Sequence, residues 1–215
     1  IDFCKKNNSP VAILIKKNLL IENKKKIKIK NKNSILRGQF IEFFLKKIKK
    51  NSRIISTTGY TSRELNQIRE IKNYKKGKDF YMVGGMGHSA MVTLGYSLMK
   101  NNQTICLDGD GSILMHLGSL RTIGVLGKKN FKHILLNNNS HESVGGQQTY
   151  AEGINFENLI KSMGYKRYFK LNKEKNMSSI LSKFLRLEGP SFLEVKIKNG
   201  SFDILRRPKN LQMIR

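Results

Sequence analysis

Two short strings concentrate the chemistry of this chain. "LDGDGS" (107–112) sets the carboxylate of Asp110 between Gly109 and Gly111, and "LNNNSHESVGG" (136–146) carries three consecutive asparagines, Asn137, Asn138 and Asn139. Glycine lets backbone N–H groups approach an anion closely, and a helix opening at Ser112 adds its positive end. A carboxylate, a side-chain amide oxygen and a backbone carbonyl make a hard, oxygen-only shell. With a phosphate completing it, such a shell suits Mg²⁺. Asn138 follows Asp110 by 28 residues, the interval of one helix plus one strand. A right-handed crossover of that length lays the two loops side by side. One asparagine then reads as a neutral oxygen ligand and the others as the frame of the loop. Asp110 reads as an exposed carboxylate.

These loops need elements to hold them, and the pattern supplies a doubly wound α/β fold, a parallel sheet with helices on both faces. Apolar runs at 53–59, 79–85, 104–111, 131–138, 165–171 and 190–197 read as strands. Segments 61–71, 87–100, 112–127, 155–164 and 175–188 have helical spacing. Residues 34–50 read as a further helix with Ser34 as its N-cap, and 10–15 ("PVAILI") as a short strand. Between them, 16–34 reads as a solvated basic connector whose "KIKIK" (26–30) could form an edge strand protected by lysines. Strands apolar throughout, alternating with amphipathic helices, imply a buried parallel sheet. Ligands of such sheets bind at the carboxyl ends of the strands. Four glycine- or asparagine-rich loops collect there: "STTGYTS" (56–62), "VGGMGHS" (83–89), "LDGDGS" and "LNNNSHESVGG". Together they read as one phosphate-binding crevice.

The bounds are consistent with this. The 215 residues hold one α/β domain plus an extension, or two small domains. Two cysteines, Cys4 and Cys106, make no disulfide framework and point to reduced thiols and a cytoplasmic setting. No apolar run approaches membrane-spanning length, and no signal peptide is visible. The net charge of +26 raises the question of a polyanionic partner. Its lysines are spread along the chain, without interleaved aromatics or a nucleic-acid module. Lysine, isoleucine and asparagine also share A/T-rich codons. Composition therefore explains the charge better than nucleic acid does, although a positive field would attract a small anionic substrate.

"GDG" at one strand end and "NN" at the next resemble the diphosphate–metal motif of thiamine diphosphate (ThDP)-dependent enzymes. "TTGYTSREL" (57–65), "GGMGHSA" (84–90), "LNNNSHESVGGQQT" (136–149) and "GPSFLEVKIKNGS" (189–201) narrow the resemblance to the phosphonopyruvate decarboxylases, with the sulfopyruvate decarboxylases as close relatives. It covers the chain from about Ser34 onward, and "SPVAILIKK" (9–17) is similar to the end of a preceding pyrimidine-binding domain. The resemblance thus implies residues 1–33 as the end of that domain plus a basic linker, and 34–215 as the ThDP-binding domain.

The same resemblance implies roles. Asp110, Asn138 and the carbonyl of Ser140 would hold Mg²⁺. Gly109, Gly111 and Ser112, with Thr58 and Gly59, would line the diphosphate. Met86 would be the wedge that bends the cofactor, and the carbonyl of Gly84 would accept from its amino group. His88 and His141 would face the reacting carbon or the substrate's anionic group. The implied reaction decarboxylates 3-phosphonopyruvate, a small anionic 2-oxo acid, to phosphonoacetaldehyde and CO₂. Three departures stand out. Asn139-Ser140 replaces the usual Gly-Ala, Arg206 stands where glycine is expected, and no residue here plays the activating glutamate. That glutamate would come from a pyrimidine-binding domain supplied upstream or by a partner subunit, which implies a homo-oligomer. Two alternatives stay open. One is a sulfopyruvate decarboxylase subunit. The other is a non-catalytic basic nucleic-acid-binding protein on a degenerate fold.

Overall fold

The computed structural model describes residues 2–16, 19, 33–72 and 79–208. In chain order the elements are α1 (Asp2–Asn7), β1 (Ile35–Leu36), α2 (Arg37–Lys47), β2 (Arg53–Ser56), α3 (Tyr60–Ile71), β3 (Phe80–Tyr81), α4 (Ser89–Met99), β4 (Thr104–Gly109), α5 (Asp110–Met115), α6 (Gly118–Leu126), β5 (Phe131–Asn137), α7 (Phe156–Ser162), β6 (Arg167–Leu171), α8 (Met177–Arg186) and β7 (Ser191–Lys198). The strands form one seven-stranded sheet in the order β1-β7-β5-β4-β2-β3, with β6 also on β7. Every pairing is parallel. β1 and β6 share one edge of β7: β6 lies along Ser191–Val195, and β1 extends that edge at Ile197–Lys198.

Central strands must be apolar on both faces, and all seven residues of β5 are buried. The period of two divides them. Ile105, Leu107, Ile134 and Leu136 join one core with α2, α3 and α8. Cys106 and Leu135 join the other with α4, α6 and α7. α8 shows how a helix is held. Met177, Leu181 and Phe184 face the sheet at spacings of four and three. Its carboxyl end is capped by a buried cation, since Lys132 Nζ donates to Phe184 O at 3.0 Å and to Leu187 O. Burial pushes that amine down to about 8.

Several sequence expectations need correction. Residues 10–15 form no strand and are exposed. Ser34 does not cap α2; Ile35–Leu36 pair with β7 first, and Leu36 takes the N-cap position. The strand expected over 79–85 is only Phe80–Tyr81, since the glycines beyond it turn the chain away. The helix expected over 112–127 is two helices, α5 and α6, broken at His116–Leu117. The "KIKIK" edge strand falls outside the described residues. Among the described residues no helix is long and apolar enough to cross a membrane.

Candidate active site

β4 and β5 pair in register up to Gly109↔Leu136, so the residues just beyond leave the sheet side by side. There the loops after β2, β4 and β5 enclose one crevice, walled by Thr57, Thr58, Asp110, Ser112, Asn138 and Ser140. Asp110 is not the exposed carboxylate expected; it is 4% exposed. The loop after β5 folds back over it, and Thr149 Oγ1 donates to its Oδ2 at 2.7 Å. Burial pushes the carboxyl above its ordinary range, against the pull of Thr149 and the Gly111 amide. These donors and the neighbouring His141 do not offset the burial. A hard divalent cation is the partner this setting favours.

Each asparagine has its own task. Asn138 Nδ2 donates to Glu142 Oε2 at 3.0 Å, which fixes the plane of the amide. Its Oδ1 accepts from Ser140 N at 3.1 Å and keeps a second lone pair. Asn137 is buried below, donating to Glu194 Oε1 at 3.0 Å and accepting from Asn139 N at 3.2 Å. Asn139 takes φ 59°, a left-handed conformation that asparagine tolerates better than most residues. Ser140 bridges to Gln148 in antiparallel fashion. The bonds of that bridge run from His141 N to Gln147 O (2.8 Å) and from Thr149 N to Asn139 O (3.2 Å). The carbonyl of Ser140 takes part in neither. Asp110, the Asn138 amide oxygen and the Ser140 carbonyl are therefore the oxygens this wall can offer a cation.

Other contacts tie the loops together. Ser112 Oγ accepts from Thr57 Oγ1 at 2.9 Å and from Gly87 N at 3.1 Å. Gly111 permits a close approach: a Cβ there would lie 2.4 Å from His141 Cε1 and 3.1 Å from Met86 Cε. Beneath the loop, Asp108 Oδ1 accepts from Gly109 N at 2.9 Å, while its Oδ2 lies 3.4 Å from Nε2 of the buried His133. Nδ1 of His133 lies 2.9 Å from the Tyr165 hydroxyl. Both ring nitrogens are engaged, so His133 braces the end of β4.

A second crevice adjoins the first and shares Thr58, Met86, His141 and Ser143 with it. Met86 thus stands in the wall between the two. Gly59, at φ 86°, lines the second. Two expected residues stand apart. Gly84 lines neither crevice. His88 lines neither and is exposed, its ring 4.2 Å from that of His116.

Sequence reasoning passed over a buried ionic chain behind the metal-type oxygens. Arg37 pairs through Nη2 with Glu142 Oε2, and its Nη1 lies 3.6 Å from Glu64 Oε1. Glu142 Oε1 also accepts from Gly200 N. Glu142 thus joins the Asn138 amide to the start of α2. Burial pushes Glu64 up to about 7 despite the opposing charge of Arg37. The available signal was Arg37 itself, a cation among apolar residues at the head of a buried helix.

Residues 57–195 match the family described as thiamine pyrophosphate enzyme, C-terminal TPP binding domain. The chain is 36% identical over 169 residues to the phosphonopyruvate decarboxylase of Streptomyces viridochromogenes, covering 79% of this chain and 41% of that protein. It is 34% identical over 151 residues to the sulfopyruvate decarboxylase subunit beta of Methanothermobacter thermautotrophicus, covering 70% of this chain and 76% of that subunit. The fold is similar to that of the thiamine diphosphate-dependent 4-hydroxybenzoylformate decarboxylase of Rhodococcus jostii, with a TM-score of 0.64 at 17% identity. That match covers 80% of this chain and 34% of the other.

Proposed function

The chain belongs to the thiamine pyrophosphate enzymes, and from this premise we propose that it forms the diphosphate and metal half of a 3-phosphonopyruvate decarboxylase. The observation that carries the proposal is the buried carboxylate of Asp110 beside the fixed amide of Asn138. In this reading Asp110, Asn138 and the Ser140 carbonyl hold Mg²⁺. Gly109, Gly111 and Ser112 receive the diphosphate with Thr58 and Gly59. Met86 would prop the cofactor where the two crevices meet; Gly84, which lines neither, is given no part. ThDP, when bound, supplies the electron sink that lets CO₂ leave the 2-oxo acid. The protein's own part is to orient, to exclude water and to hold protons. His141, which lines both crevices, would be the residue to hold a proton near the substrate. No step is assigned to His88.

The chain spans 41% of the phosphonopyruvate decarboxylase it matches. We therefore assign the activating carboxylate to a pyrimidine-binding domain, upstream or on a partner subunit, within an oligomer. We take residues 34–215 as the ThDP-binding domain and residues 1–33 as the end of the preceding one. Its free cysteines suit the cytoplasm. A second reading, a sulfopyruvate decarboxylase beta-type subunit, is favoured by the 76% coverage of such a subunit. The test is CO₂ release by the assembly that includes the pyrimidine-binding half, with ThDP and Mg²⁺. Phosphonopyruvate, sulfopyruvate and pyruvate are offered in parallel. Turnover of phosphonopyruvate that Asp110→Ala abolishes is expected. Preference for sulfopyruvate moves the assignment to the second reading, and no release from any of the three overturns both.

A further inference from the structure

The second crevice holds a feature that cofactor binding does not use. Two arginines, Arg63 and Arg207, line it, and its lining contains no carboxylate. Among the described residues neither arginine belongs to a salt bridge. Arg63 is half-buried and Arg207 is exposed, whereas the buried Arg37 has two carboxylate partners. Each arginine stands on a held stretch of backbone. Arg63 lies on the first turn of α3, its guanidinium carbon 5.7 Å from the centroid of the Tyr60 ring. Arg207 is brought in by the tail beyond β7. That tail is pinned at Gly200 by Glu142, at Phe202 against Gly38, and at Arg206, whose N–H donates to Gln67 Oε1 at 3.4 Å. Arg206, which departs from the expected glycine, thus serves through its backbone, and Arg207 faces the crevice.

We propose that Arg63 and Arg207 form the subsite for the tetrahedral anionic group, phosphonate or sulfonate, at the far end of the 2-oxo acid. The inference rests on the decarboxylase reading. A 3-phosphono or 3-sulfo group sits two bonds from the reacting carbon. The anion must therefore bind in the space that adjoins the cofactor crevice through Met86 and His141. Two unpaired guanidiniums in a carboxylate-free crevice match a multiply charged oxyanion, because their planar forks give paired, charge-assisted hydrogen bonds. Ser143 lines the same space and can offer a neutral donor. Pyruvate, lacking the group, would leave both cations unused. This pair is what makes the site selective.

The test compares Arg63→Met, Arg207→Met and Arg63→Lys with wild type, in the assembly with its pyrimidine-binding half. Each methionine variant should lower kcat/KM for phosphonopyruvate about 10- to 100-fold, chiefly through KM. The ThDP dissociation constant and pyruvate turnover should stay within twofold, and Arg63→Lys should recover part of the loss. A second readout needs no turnover: methylphosphonate, titrated against acetate by calorimetry, should bind wild type and lose affinity in both methionine variants. If wild type turns over phosphonopyruvate and both methionine variants keep kcat/KM within twofold, the subsite is overturned. If no 2-oxo acid reacts but methylphosphonate still binds through the two arginines, the reaction assignment fails and the subsite stands. Equal binding of methylphosphonate by wild type and variants overturns the subsite in either case.

Discussion

Replacing Gly111 by alanine tests the geometry of the crevice wall with a single methyl group. The added Cβ would meet His141 Cε1 at 2.4 Å and Nδ1 at 2.6 Å, where ordinary contact begins at 3.4 Å. The imidazole must therefore retreat by about 1 Å. Its backbone cannot follow. His141 N donates to Gln147 O at 2.8 Å, and its carbonyl accepts from Val144 N at 3.1 Å and Gly146 N at 3.0 Å. The ring can only swing into the crevice or press on Met86. Overpacking of this kind costs about 1–3 kcal/mol, and the helix preference of alanine returns at most about 1 kcal/mol. The expected net loss is about 0–3 kcal/mol, a fall in Tm of up to roughly 12 °C for a domain of this size. Gly109→Ala is the control, because the nearest atom to its Cβ is Thr57 Cγ2 at 3.9 Å; its Tm should stay within about 2 °C. Thermal unfolding gives both numbers, and ThDP titration should show at least about a tenfold loss of affinity for Gly111→Ala. A Gly111→Ala protein that melts and binds ThDP like wild type would refute the packing of His141 on Gly111.

Three further outcomes follow from the same contacts. Asp110→Asn keeps the size of the side chain and removes its charge. The rise in Tm that saturating ThDP and Mg²⁺ give wild type, about 2.7 kcal/mol at a hundred times Kd, should vanish in this variant when both are melted with and without ligand. Glu142→Ala leaves Arg37 paired only with Glu64 and frees the Asn138 amide. Urea unfolding should show a loss of about 3 kcal/mol, with weaker ThDP binding on top of it. Glu64 links stability to pH. Its folded value of about 7 exceeds the ordinary 4.5, so the folded state holds the extra proton between them. Its contribution is full below about pH 4.5 and is lost as pH rises through 7, in all about 3 kcal/mol. Wild type should lose about 2.5 kcal/mol more stability between pH 5 and pH 8 than Glu64→Gln; parallel curves would show that Glu64 is not buried as described.

The sheet was legible because parallel strands must be apolar on both faces. "FKHILLN" and "TICLDG" announce themselves for that reason, and the loops at their ends carry the chemistry. Short elements left no such trace: Ile35–Leu36 is a strand only because the edge of β7 is there to accept it. The pairing of "GDG" with "NN" placed Asp110 and Asn138 together but misjudged the exposure of Asp110. Its cover, Thr149, lies 39 residues further on. The chain from Glu142 to Arg37 joins residues 105 positions apart, so no local spacing could reveal it. His133 and Lys132 look like surface residues by type. Their place in a seven-residue strand with no exposed position decides otherwise.

The central claim is that Asp110, Asn138 and Ser140 hold a divalent cation against the diphosphate of ThDP. Calorimetric titration of ThDP, with Mg²⁺ and again after its removal by chelation, measures this directly on the assembly with its pyrimidine-binding half. The account predicts binding with Mg²⁺, at least about a hundredfold weaker binding without it, and the weak value in both conditions for Asn138→Ala. Equal affinity with and without the metal, or an Asn138→Ala protein that responds to Mg²⁺ as wild type does, would contradict it.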